Sequence, residues 1–136
     1  MKRVAVLGAL IALLAVSAPI VDANHQSCPG QPVITFYDGV NQTGNYRVVC
    51  ADDAHQYSFL TWNWQNVALP MDNRISSLSM YQTVTGWRIV LYTGYDWNGS
   101  SQTFVDDGGG QFEKFNLNAT LNNASSSYRD CGTACP

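Results

Sequence analysis

Charge is scarce in this chain of 136 residues, with seven Lys or Arg and ten Asp or Glu. From Asn24 onward there is one Lys (Lys114) and one Glu (Glu113). The residue types that favour helices are therefore thin, and no stretch sustains the 3.6-residue apolar spacing of an amphipathic helix. No cluster of basic side chains is present to neutralise phosphates, which argues against nucleic-acid binding. No Cys-x-x-Cys pair occurs, so Cys28, Cys50, Cys131 and Cys135 lack the spacing of a structural zinc site. No Gly-x-Ser-x-Gly stretch occurs either, and His25 and His55 have no evident catalytic partner. Acyl-transfer chemistry needs a base held against its nucleophile, so an enzyme is not expected.

Long apolar runs are absent except at the start. Lys2 and Arg3 precede "VAVLGALIALLAVSAPIV", and "VDA" ends at Ala23. That order is the pattern of a secretory signal peptide over residues 1–23. The rival is a membrane anchor, since the run is nearly long enough to span. The early basic start and the polar "NHQS" that follows favour cleavage. The expected mature chain, residues 24–136, carries five basic and nine acidic residues, a net charge near −4. One secreted, extracellular domain is expected, with no membrane association after cleavage. All four cysteines lie in it, and an even count in an exported chain implies two disulfides. Cys28 precedes the first strand and Cys50 ends the second, so Cys28–Cys50 is the expected pair. Cys131 and Cys135 would then close a tight loop. The alternative ties Cys28 to the C-terminal tail.

What the chain does have is Asn, Asp, Ser, Thr and Gly between short apolar runs, the chemistry of turns and strands. It is also written twice. "ITFYDGVNQTGNYRVVC" (34–50) lines up with "IVLYTGYDWNGSSQTFV" (89–105), with Tyr37 on Tyr92 and Gly44 on Gly99. "MDNRISS" (71–77) lines up with "LNNASSS" (121–127). The offset falls from 55 to 50, so the first copy carries about five extra residues, expected within "HQYSFLTWNWQNVALP". Each copy reads as four strands: "VITFY", "NYRVV", "QYSFL" and "ISSLSMY", then "WRIVLY", "SSQTFV", "QFEKF" and "SSSYR". Eight strands in two units predict a sandwich of two Greek keys.

The pattern aromatic, four residues, aromatic, one residue, Gly, followed by Asx-Asx-x-x-Ser-Ser, resembles the βγ-crystallin Greek-key motif. "YTGYDWNG" (92–99) matches it in full, while "YDGVNQTG" (37–44) has Gln42 where an aromatic is usual. The resemblance covers about residues 32–129, with one Greek key at 32–81 and the second at 86–129. It implies an all-β, βγ-crystallin-like sandwich of about eight strands.

The twice-written phrase has two readings. Asx and Ser side chains bond nearby amides and shape turns, and Ser77 and Ser127 are expected to do so. A calcium ion instead takes six to eight oxygens. The resemblance implies calcium loops for up to two ions. In such loops the third position gives a backbone carbonyl, the fifth a hydroxyl, and a residue after the hairpin tyrosine completes the shell. Carried onto this chain, the first loop offers Asp72, Asn73, the Arg74 carbonyl and Ser76. The second offers Asn122, Asn123, the Ala124 carbonyl and Ser126, and Asp38 and Thr93 follow the two tyrosines. Both fifth positions are Ser, whereas loss of binding in such proteins tends to come with a basic residue there.

Three functions follow as expectations. The first is a monomeric, secreted, calcium-binding domain. The second is a proteinaceous inhibitor of a secreted protease, because small bacterial metalloproteinase inhibitors share this fold and an opening like "CPGQPVITFYD". Its loop would come from the first-repeat excess near residues 54–70. The third is a killer-toxin-like antimicrobial protein. Trp62 and Trp64 alternate in "TWNW" and either fill the core or present an aromatic pair to a partner. "NQT", "NGS", "NAT" and "NAS" are glycosylation sequons.

Overall fold

The computed structural model describes residues 28, 30–50, 56–59, 63–64 and 69–134. The expected signal peptide, both histidines, Trp62 and Cys135 lie outside them, as does most of the expected inhibitory loop.

Eight strands form: β1 (Val33–Tyr37), β2 (Tyr46–Cys50), β3 (Gln56–Ser58), β4 (Ser77–Tyr81), β5 (Arg88–Tyr92), β6 (Ser101–Val105), β7 (Glu113–Asn116) and β8 (Ser127–Gly132). They make two four-stranded sheets, ordered β2-β1-β4-β7 and β3-β8-β5-β6. All the pairings are antiparallel. Three strands of each repeat stay in one sheet, and the third in sequence crosses to the other. β7 of the second repeat pairs with β4 of the first, and β3 of the first pairs with β8 of the second. The two Greek keys are therefore interlocked, and neither sheet is complete without the other repeat.

The strand patterns explain the layering. Ile34 and Phe36 alternate along β1, Leu78 and Met80 along β4, and Ile89 and Leu91 along β5, all completely buried. With Phe59, Met71, Ile75, Leu121 and Tyr128 they fill one core between the sheets. Phe36, Phe59 and Tyr128 meet with ring centroids 5.2–5.6 Å apart. Burying a side chain of this size contributes about 1.5–3 kcal/mol. The edge strand β6 turns only Phe104 fully inward, where it meets Phe115 of β7 edge-to-face at 5.4 Å. Trp64 belongs to this core, as does Trp87. The Trp87 indole N–H finds the buried Asp130 Oδ1 at 2.9 Å.

Cys28 is bonded to Cys50, with their Cα atoms 5.4 Å apart. This staples the entry of β1 to the end of β2, as expected, and excludes the tie from Cys28 to the tail. Closing a loop over a separation of 22 residues contributes about 3 kcal/mol through the unfolded chain. Cys131 is also half of a disulfide.

Candidate functional site

Each Asx-Asx-x-x-Ser-Ser phrase is anchored to the hairpin of its own repeat. The Ser76 amide donates to the Tyr37 carbonyl at 2.8 Å and the Ser126 amide to the Tyr92 carbonyl at 2.9 Å. The sixth-position serines do turn work, as expected. Ser77 Oγ donates to the Gly39 carbonyl at 2.6 Å and accepts the Gln42 amide at 2.9 Å. Ser127 Oγ donates to the Gly94 carbonyl at 2.7 Å and lies 3.4 Å from the Trp97 amide. Gln42, in the place of the usual aromatic, replaces ring packing with hydrogen bonds from its amide to the Leu78 and Phe115 carbonyls, both at 3.3 Å.

Both phrases begin with a tight turn. The Arg74 amide donates to the Met71 carbonyl at 3.1 Å and the Ala124 amide to the Leu121 carbonyl at 3.0 Å. The third residue of each turn has positive φ, 56° at Asn73 and 55° at Asn123. Asn tolerates this conformation better than most residues, which accounts for an Asn there in both copies.

The loops are paired crosswise. Ser76 Oγ donates to Asn123 Oδ1 at 3.2 Å, and Ser126 Oγ donates to Asn73 Oδ1 at 3.1 Å. The backbone repeats the exchange: the Asn73 amide meets the Ser125 carbonyl at 3.0 Å, and the Asn123 amide meets the Ile75 carbonyl at 2.9 Å. The structure thus assembles two oxygen clusters, each drawing its hydroxyl from one repeat and its amide oxygen from the other. Ser76 and Ser126 are each only 3% exposed. The first residue of each phrase adds a buried oxygen without a hydrogen-bond partner, Asp72 Oδ1 and Asn122 Oδ1. Buried polar atoms left unmatched are uncommon and call for a partner.

Asp38 and Thr93, expected to complete the shells, each brace the turn of their own hairpin. The Asp38 carboxylate accepts the Asn45 amide at 2.7 Å and the Asn45 side-chain amide at 2.6 Å. Thr93 Oγ1 accepts the Ser100 amide at 3.0 Å. A short polar side chain just past a strand reaches the amides of its own turn first. Gly44 and Gly99 make the reach possible. At φ of 85° and 84°, a Cβ on either would overlap Asp38 Oδ1 or Thr93 Oγ1.

The two clusters differ in one respect that the repeat pattern did not signal. Tyr95, three residues after Tyr92, donates its hydroxyl to Asp72 Oδ2 at 2.9 Å. The same oxygen accepts the Asn73 side-chain amide at 3.0 Å. The carboxylate is thereby tied to Asn73, whose own side-chain oxygen accepts the Ser126 hydroxyl. Hydrogen bonding to Asp72 raises the Tyr95 pKa, burial and the Asp72 charge add to it, and Ser126 opposes. The matching position in the first hairpin, three after Tyr37, is the exposed Val40.

Comparison with solved structures places this architecture. The N-terminal domain of Protein S superposes with a TM-score of 0.52 at 18% identity, over 76% of this chain and 99% of that one. A domain from work on the evolution of the eye-lens βγ-crystallin fold matches at 0.52 and 17%, over 79% and 93%. A βγ-crystallin domain from Flavobacterium johnsoniae matches at 0.49 and 23%, over 76% and 98%. No family model matches the sequence, and comparison with characterised proteins gives no significant match. The class defined by the interlocked sheets is the double-Greek-key β-sandwich. Within that class, the chain has the βγ-crystallin fold.

Proposed function

We propose that this protein is a secreted calcium-binding domain with two cation sites, each shared between the repeats. The observation that carries the reading is the crossed oxygen set. Ser76 with Asn123, and Ser126 with Asn73, hold side-chain oxygens 3.1–3.2 Å apart. That is the spacing of neighbouring ligands around one calcium ion, whose ligand oxygens lie at about 2.3–2.6 Å. The unpartnered oxygens of Asp72 and Asn122 supply the chemistry a hard cation accepts. In the Ser126 site the ligands are Ser126, Asn73 and Asp72; in the Ser76 site they are Ser76, Asn123 and Asn122. The Arg74 and Ala124 carbonyls extend the shells. A site with at most one carboxylate binds weakly, in a range near 0.1–1 mM that suits an extracellular module. The Cys28–Cys50 disulfide fits an oxidising compartment.

Calorimetric titration of the chelator-treated protein tests this. Ser76→Ala and Ser126→Ala should each remove one bound calcium ion from the wild-type count. No calcium heat, together with an unchanged melting point in chelator, would make both phrases plain turns.

A further inference from the structure

The connection from β6 to β7 carries a group of residues that neither loop uses. Asp106, Asp107 and Glu113 each bring one carboxylate oxygen to within 4.8 Å of the others. Asp106 is 0% exposed. Its Oδ1 accepts the Gly108 amide at 2.7 Å, but its buried Oδ2 has no hydrogen-bond partner. Among the described residues, no ion pair to any of the three offsets their charge. An ionised carboxylate buried in this way is costly, and two like charges beside it add to the cost. Accordingly burial and then the Asp107 charge push the Asp106 carboxyl up, against the pull of the Gly108 and Gln82 backbone.

We propose that Asp106, Asp107 and Glu113 form a third cation site, separate from the two loop sites and suited to a hard divalent ion of calcium size. Three oxygens within 4.8 Å of one another fit one calcium sphere, where opposed ligands stand about 4.6–5.2 Å apart. A magnesium shell is tighter, at about 4.2 Å across. Two of the carboxylates are held in place beforehand. Glu113 Oε1 accepts the Asp107 amide at 2.7 Å, and Asp107 Oδ1 accepts the Gly109 amide at 2.8 Å. Asp106 supplies the buried wall, and the exposed Asp107 leaves the outer side to water. An ion here would give the Asp106 carboxylate, whose Oδ2 is unpartnered, a counter-charge that none of the described residues provides.

The experiment uses a Ser76→Ala/Ser126→Ala background, with calcium titrated by calorimetry and terbium luminescence as a second readout. One ion per chain should remain. Adding Asp107→Asn and Glu113→Gln should abolish it, and these two changes alone should remove one ion from the wild type. Both replacements keep an oxygen for the Asp107 and Gly109 amides, so the fold is preserved. No residual ion in the background, or a residual ion indifferent to the two changes, would overturn the proposal. Should the loop reading fail instead, the serine changes would leave the count unaltered. The Asp107 and Glu113 changes in wild type would still decide the third site.

Discussion

The Ser76 hydroxyl donates to the Asn123 side-chain oxygen at 3.2 Å, across 47 residues of chain. Its counterpart joins Ser126 to Asn73 at 3.1 Å. Sites built this way belong to the pair of repeats, so mutations should sort by cluster and not by phrase. Asn123→Ala should remove the same calcium ion as Ser76→Ala, and Asn73→Ala the same ion as Ser126→Ala. Within a cluster, the double variant should lose no more binding than either single variant, the non-additivity of residues sharing one ligand. Calorimetric stoichiometry checks it. Asn123→Ala abolishing the Ser126 ion would contradict the crossed arrangement.

The Tyr95–Asp72 hydrogen bond should set the two sites apart. The tyrosine hydroxyl holds Oδ2 and so draws on the charge of the carboxylate whose unpartnered Oδ1 the cation would take. Tyr95→Phe should therefore tighten calcium binding at the Ser126 site, by a small factor because the hydrogen bond is solvent-exposed, and leave the Ser76 site unchanged. Asp72→Asn should weaken the same site. If Tyr95→Phe acts on the Ser76 site, the carboxylate has been placed in the wrong cluster.

The sandwich was legible because its signals are local. Alternating apolar residues in "VITFY" and "WRIVLY" mark buried strands, and Tyr37 with Gly44 repeats as Tyr92 with Gly99. The crossed clusters were not legible. Aligning one repeat on the other matches Ser76 to Ser126, but contact between Ser76 and Asn123 arises only when β3 and β7 change sheets. Asp38 and Thr93 accept the nearby amides of Asn45 and Ser100, brought close by the turns at Gly44 and Gly99, and a polar residue after a strand does not announce that use of its side chain. The Tyr95 contact depends on the two repeats meeting, so nothing in either repeat alone announces it. Asp106 and Asp107 stand in plain view in "VDDGGG", yet Glu113 joins them only when β7 closes the loop.

Calcium should act as a stabilising ligand. With millimolar calcium and a dissociation constant near 0.1 mM, linkage gives about 1.4 kcal/mol per site. For a domain of this size each such increment raises the melting point by roughly 4–8 °C. Magnesium should do markedly less, since it holds its waters and demands a tighter octahedron. Scanning calorimetry in calcium, magnesium and chelator separates these outcomes, and equal shifts from the two ions would argue against calcium-shaped sites.

The buried Asp106 predicts a pH dependence of definite sign. Burial raises its folded-state pKa above 3.8, and Glu113, also raised chiefly by desolvation above 4.5, acts in the same direction. Between the unfolded and the raised values, the folded protein binds more protons than the unfolded chain. In chelator, the contribution of this group is fully present below 3.8 and is lost as pH rises through the folded value. Asp106→Asn keeps an oxygen for the Gly108 amide but has no charge to bury. Its melting point should therefore gain on the wild type as pH rises from the acid side to neutrality, with the gap smallest in acid. Excess calcium at neutral pH should close the gap by lifting the wild type, because a bound cation supplies the counter-charge that protons supply in acid. Parallel melting curves for the two proteins across this range would mean that Asp106 carries no buried charge.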